Sequence, residues 1–112
     1  MDTYDEPIDL TKFEEIGKEV PILAKKFFDY SKTVFSEGEL TEREKSLIGL
    51  AAAHTVQCAY CIDAFTHACL EKGSNPAEMT QAVHAATAIR RGASLVHGIL
   101  MRNIAKWIYL RL

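Results

Sequence analysis

Apolar residues recur every three or four positions along most of the chain, and nowhere do they alternate with polar ones for long. That period belongs to helices packed on one face, so the pattern predicts an all-α protein. A first helix is expected from Leu10 to Glu19, capped by Asp9 or Thr11 and ended by the Val20-Pro21 step. A second, from Pro21 to Ser36, places Leu23, Phe27, Tyr30 and Val34 on one face, and Gly38 stops it. Thr41 and Glu44 have the spacing of a capping box, which opens a third helix.

From Thr41 to Lys72 the only helix breaker is Gly49. A single helix of that length would span about 48 Å at ~1.5 Å per residue, against a radius of gyration of about 13 Å for a compact domain of this size. A break is therefore expected at His54-Thr55-Val56-Gln57, where two β-branched residues adjoin, with Cys58 opening a fourth helix that ends at Gly73. Asn75-Pro76-Ala77-Glu78 starts a fifth, alanine-rich helix running to about Arg91. Gly92 is expected to end or bend it before a sixth, from Ala93 to about Leu110. That last segment carries Leu95, Val96, Ile99, Leu100, Ile104, Trp107 and Ile108. The stripe is wide for a terminal helix and predicts a second subunit against part of it.

Composition narrows the class. The chain has 112 residues, 48% of them apolar, which suits one compact domain over 1–112. A net charge of -2 with interspersed signs gives no electrostatic footprint for nucleic acid. No run approaches the roughly 18 apolar residues of a membrane span. The acidic start, Met1 to Glu6, lacks the features of a signal peptide, so a cytoplasmic protein is expected.

In a reducing compartment Cys58-Ala59-Tyr60-Cys61 points to chemistry more than to stapling. At a helix mouth, free N–H groups would stabilise a thiolate at Cys58, and the i,i+3 spacing would bring Cys61 within reach of disulfide closure. Such a pair can cycle between dithiol and disulfide, hold a soft ion, or lie inert. His54 stands four before Cys58, where it could act as a base or simply cap the third helix. Glu44 could relay protons, although the capping box already accounts for it. His84 could line the site or pack as an ordinary helix residue. His67 is expected to be solvated, His97 to serve a subunit contact, and Cys69 to be a small core residue. Zinc could be held only by assembling His54, Cys58 and Cys61 with Cys69 or His84, which is no established spacing. No cofactor or metal is otherwise expected.

Leu47-Ile48-Gly49-Leu50-Ala51-Ala52-Ala53, then Cys58-x-x-Cys61, then Glu71-Lys72-Gly73 and Pro76-Ala77-Glu78-Met79, resemble the core motif of the alkylhydroperoxidase D and carboxymuconolactone decarboxylase superfamily. Val56-Gln57-Cys58-x-Tyr60-Cys61-Ile62-Asp63-Ala64 and Gly92-Ala93-Ser94-Leu95-Val96-His97-Gly98 resemble, within it, the peroxidase-like proteins associated with arsenosugar biosynthesis. The resemblance implies a helical fold that assembles into homotrimers or homohexamers. It implies hydroperoxide as the oxidant, and as reductant a dithiol protein such as a lipoyl domain or a thioredoxin-like partner. It also implies Cys61 as the peroxidatic cysteine and Cys58 as the resolving one, whereas the helix-mouth argument alone favours Cys58 as the more acidic thiol. The superfamily's decarboxylases act without a CxxC, so decarboxylation is not expected here.

Two positions depart from the resembled pattern. Its relay histidine, four after the second cysteine, is replaced by Phe65, and its relay glutamate, twelve before the first, by Ser46. Glu44 lies about 160° around the helix from Ser46 at ~100° per residue and is no easy substitute. His54, His84 or both are then expected to take over. The alternative is a protein that holds arsenite or zinc on the dithiol without peroxidase turnover.

Overall fold

The computed structural model describes residues 15–111, all of whose regular structure is helical. Among the described residues there are four α-helices: α1 Pro21–Val34, α2 Glu42–Thr55, α3 Ala59–Glu71 and α4 Pro76–Arg111. This corrects the expected six. Of the anticipated Leu10–Glu19 helix, residues 15–18 form a short 3₁₀ turn and 10–14 lie outside the described residues. The fifth and sixth helices are one. Gly92 does not need a positive φ, and a mid-helix glycine costs only about 1 kcal/mol relative to alanine. With no proline after it, the 36-residue helix runs on.

The helix ends follow local chemistry. Pro21 occupies the first turn of α1. Lys45 reaches back so that its ammonium donates to the carbonyls of Val34 and Ser36, each at 2.8 Å, beside the end of that helix. The Thr41 hydroxyl accepts the Glu44 N–H at 3.0 Å, and the Glu44 carboxylate accepts the Thr41 N–H at 2.9 Å. Asn75 and Glu78 repeat the exchange at the start of α4, at 2.8 and 3.0 Å. Each such cap is worth about 1 kcal/mol. Lys72 pairs with Glu42 at 2.6 Å and Arg43 pairs with Glu78, tying the start of α2 to the end of α3 and the start of α4.

Both turns flanking α3 are Schellman motifs. After α2, the Gln57 N–H donates to His54 O at 3.3 Å and the Cys58 N–H to Ala53 O at 3.0 Å. After α3, Gly73 and Ser74 donate to Leu70 O and Cys69 O at 3.2 and 2.9 Å. Gly73 takes its left-handed φ of 93° freely, whereas Gln57 adopts φ 55° with a full side chain.

α2 packs against both α3 and α4. Its inner face is Ser46, Gly49, Leu50 and Ala53, an i, i+3, i+4, i+7 stripe of mostly small residues that lets the neighbours approach. The Phe65 ring of α3 lies directly over Gly49: a Cβ built there would sit 2.4 Å from Phe65 Cε1. The same ring packs on Phe35, centroids 4.8 Å apart. The core is small. Among the described residues only Leu50, Ala53, Cys69 and Ala86 are buried apolar groups. The radius of gyration is 19.2 Å, well beyond the roughly 13 Å of a compact domain this long. α1 and the second half of α4 carry much of the exposed apolar surface. Leu23, Phe27, Leu95, Ile99, Ile104 and Trp107 are each more than half exposed on them.

Candidate functional site: a cysteine pair at the mouth of α3

The left-handed residue Gln57 turns the chain so that Cys58 becomes the N-cap of α3, with extended backbone (φ -94°, ψ 102°). Its Sγ accepts the N–H of Cys61 at 3.2 Å, the place a serine or aspartate oxygen takes in an ordinary cap. Cys61 follows one turn later. The two Cα atoms are 5.2 Å apart and the sulfurs are joined as a disulfide, within the span that a disulfide requires without moving the backbone. Both residues are half-buried. The pair therefore sits where backbone N–H groups face sulfur and solvent still has access, the environment that makes a thiol reactive.

His54 occupies the last turn of α2, in the position expected of a C-terminal cap. Its Nδ1 lies 2.8 Å from Leu50 O. A carbonyl only accepts, so Nδ1 carries a proton, and in the neutral ring the lone pair is on Nε2. His54 borders two cavities. The smaller lies between α2, α3 and α4 beside Leu50, Ile62 and Val83. The larger, about 860 Å³, is an open groove along α4 that Gln57 also lines. Arg90 crosses this region and donates to Thr55 O at the end of α2.

The other sequence candidates are dispersed. Glu44 is engaged in its capping box, and the Thr41 N–H followed by the Thr41 hydroxyl holds its carboxyl below the usual range. His84 is exposed on α4 and borders neither cavity at His54. It lies about 100° around the helix from Val83, which does. His67 is exposed on the outside of α3, where the Asp63 carbonyl at 2.8 Å and then the Asp63 charge draw its pKa up. His97 is exposed on α4. Cys69 is fully buried, as a small core residue should be, and burial pushes its thiol up despite the opposing charge of Arg43. The slots of the resembled proton relay are structural here. Ser46 is buried with its hydroxyl on Glu42 O at 2.8 Å, and Phe65 packs on Gly49 and Phe35. Among the described residues no three His, Cys, Asp or Glu side chains gather as a metal would need, so the zinc set is not brought together. Nor, among them, is any helix long and apolar enough to cross a membrane.

Sequence reasoning missed Gln57 and the α4 wall of the groove. No glycine marks the left-handed turn, and Thr87, Arg90, Arg91 and Ser94 read as ordinary helix-surface residues.

The pattern of the Carboxymuconolactone decarboxylase family matches residues 21–100. "Uncharacterized protein 4 in cox locus" of Paracoccus denitrificans is 35% identical over 71 residues, which is 63% of this chain and 64% of that protein. The chain thus spans less than two thirds of the length of that curated relative. A crystal structure of a protein from Methanobacterium thermoautotrophicum matches with a TM-score of 0.71 and 34% identity, over 75% of this chain and 94% of that one.

Proposed function

The chain belongs to the carboxymuconolactone decarboxylase family, and from that premise we propose that it is a thiol oxidoreductase that reduces hydroperoxides through Cys58 and Cys61. The observation that carries this reading is the pairing of the two cysteines across the first turn of α3, with Cys58 as N-cap. Cys61 attacks the peroxide as thiolate; the O–O bond breaks, an alcohol leaves, and Cys61 becomes a sulfenic acid. Cys58 attacks that sulfur, the S–S bond forms and water leaves. The two thiol protons end on the alcohol and the water. One thiol of a reductant dithiol, of the lipoyl or thioredoxin-like kind, then attacks Cys61 and expels Cys58. Its second thiol attacks the mixed disulfide to release Cys61, leaving the reductant oxidised.

The N-cap position suits Cys58 to this second role. A thiol stabilised as thiolate is both a ready nucleophile toward the sulfenic acid and a good leaving group on reduction. His54, four residues before Cys58 and with Nδ1 engaged on Leu50 O, is the base we assign to deprotonate Cys61.

Thiol counting tests the reading. Reduced native protein should show two thiols reactive to an aromatic disulfide reagent, with Cys69 appearing only on unfolding. One equivalent of hydrogen peroxide should remove both, leaving Cys69 alone in the unfolded protein. Cysteines that peroxide leaves reduced would end the proposal, and a soft metal co-purifying under reducing conditions would favour the ion-binding alternative.

We also propose that the chain works as a homotrimer or homohexamer. Among the described residues four buried apolar side chains are a meagre core, while an exposed Leu or Ile forgoes roughly 1.5–3 kcal/mol each until a neighbour covers it. Sedimentation equilibrium should give three or six times the chain mass of 12.5 kDa. A monomer at micromolar concentration would contradict the assembly.

A further inference from the structure

The groove along α4 has a chemistry that thiol redox work does not by itself call for. Its volume of about 860 Å³ falls within the range of small-molecule sites, about 300–1,000 Å³. The wall is two-natured. Val83, Ala86 and Leu95 give an apolar stretch, while Arg90 and Arg91 supply guanidinium groups and no carboxylate lines it. Arg90 is spent on Thr55 O. Arg91 is in none of the ion pairs among the described residues.

The charge is not a local accident. Although the whole chain is net negative, every Asp and Glu lies at or before Glu78. Beyond it α4 carries Arg90, Arg91, Arg102, Lys106 and Arg111 and no acidic residue. A low-dielectric wall lined by one sign of charge concentrates ligands of the other. A guanidinium binds a carboxylate through two parallel hydrogen bonds.

We propose that this groove binds an organic carboxylate with an apolar chain, its head on Arg91 and its chain along Ala86 and Val83 toward His54. His54 and Gln57 form the end of the groove adjoining Cys58 in the chain. A ligand so held extends toward the cysteine turn. As a binding site the groove stands on its own. The further step, that the preferred oxidant is a hydroperoxide bearing such a carboxylate, rests on the dithiol reading.

Octanoate is the probe, with octanol as its uncharged counterpart, titrated calorimetrically into the full-length protein as purified. Octanoate should bind saturably at one site per chain, at least tenfold more tightly than octanol. Arg91→Gln should weaken octanoate about tenfold and leave octanol unchanged, whereas Arg91→Lys should keep part of the difference. Val83→Asn should weaken both ligands, and circular dichroism checks that each variant is helical. No saturable octanoate binding by 10 mM (about the ceiling of a useful millimolar site) overturns the proposal. So does equal binding of acid and alcohol, or an Arg91→Gln variant that binds like wild type. The same titration on protein with both Cys58 and Cys61 replaced by serine separates the two readings. Octanoate binding retained there, in a protein whose wild-type thiols ignore peroxide, upholds the groove and removes only the dithiol chemistry.

Discussion

Cys61→Ser protein should consume hydroperoxide no faster than buffer, a loss on the order of a thousandfold or more, because the proposed attacking sulfur is gone. Cys58→Ser should behave differently. It should react once, consume one equivalent per chain and stop, since nothing would remain to resolve a sulfenic acid at Cys61. The difference separates the two sulfurs, which sit in unequal places. Cys58 is the N-cap, its Sγ accepting an N–H of the first turn at 3.2 Å; Cys61 lies one turn inside α3. If Cys58 were instead the attacking group, the two phenotypes would exchange. Peroxide stoichiometry and mass labelling of the sulfenic acid read this directly. Turnover at the wild-type rate in Cys61→Ser would sink the assignment altogether. The acidities give an independent check: alkylation against pH in the single-cysteine variants should show Cys58 reacting at lower pH than Cys61, because the helix N-terminus favours its thiolate.

The features that place this pair were unevenly legible in the sequence. Capping is local, so the Thr41-Glu44 and Asn75-Glu78 exchanges follow from spacing alone and both are present. The break before Cys58 was also visible, but its mechanism was not. The β-branched pair Thr55-Val56 does not make it; Gln57 does, by taking the left-handed conformation that closes a Schellman turn. A residue with a side chain in that region leaves no signature in composition. Gly92 misled in the opposite sense, since glycine stops a helix only where a positive φ or a following proline requires it. His84 sits on a helix whose phase is set by Val83 and Ala86 against α2, and one residue of offset turns it outward. Gly49 read as a breaker and is a contact. Only the fold reveals that residue 65 lies over it, and this explains why the relay slot holds an apolar ring.

That contact carries a further prediction. Gly49→Ala should destabilise the protein by about 1–3 kcal/mol, the range for forcing a methyl into a packed interior. The new Cβ would lie within 3 Å of three ring atoms of Phe65. The ring cannot swing clear cheaply, because Phe35 packs on it at 4.8 Å between centroids. Gly92→Ala is the opposite case. It is the same substitution in a helix interior, but a Cβ there meets nothing within 4 Å, so helix propensity alone decides and the change should stabilise by about 0.5–1 kcal/mol. Thermal melts at one protein concentration compare the two. At about 4–8 °C per kcal/mol for a domain near this size, their midpoints should move apart by well over 5 °C. In a Phe65→Ala background Gly49→Ala should cost much less than in the wild type if the clash is the cause, a coupling that a double-mutant cycle reads. A Gly49→Ala protein as stable as wild type would mean that α2 and α3 do not approach this closely. That would bear on the site, since α3, whose first turn carries both sulfurs, is held against α2 through this contact.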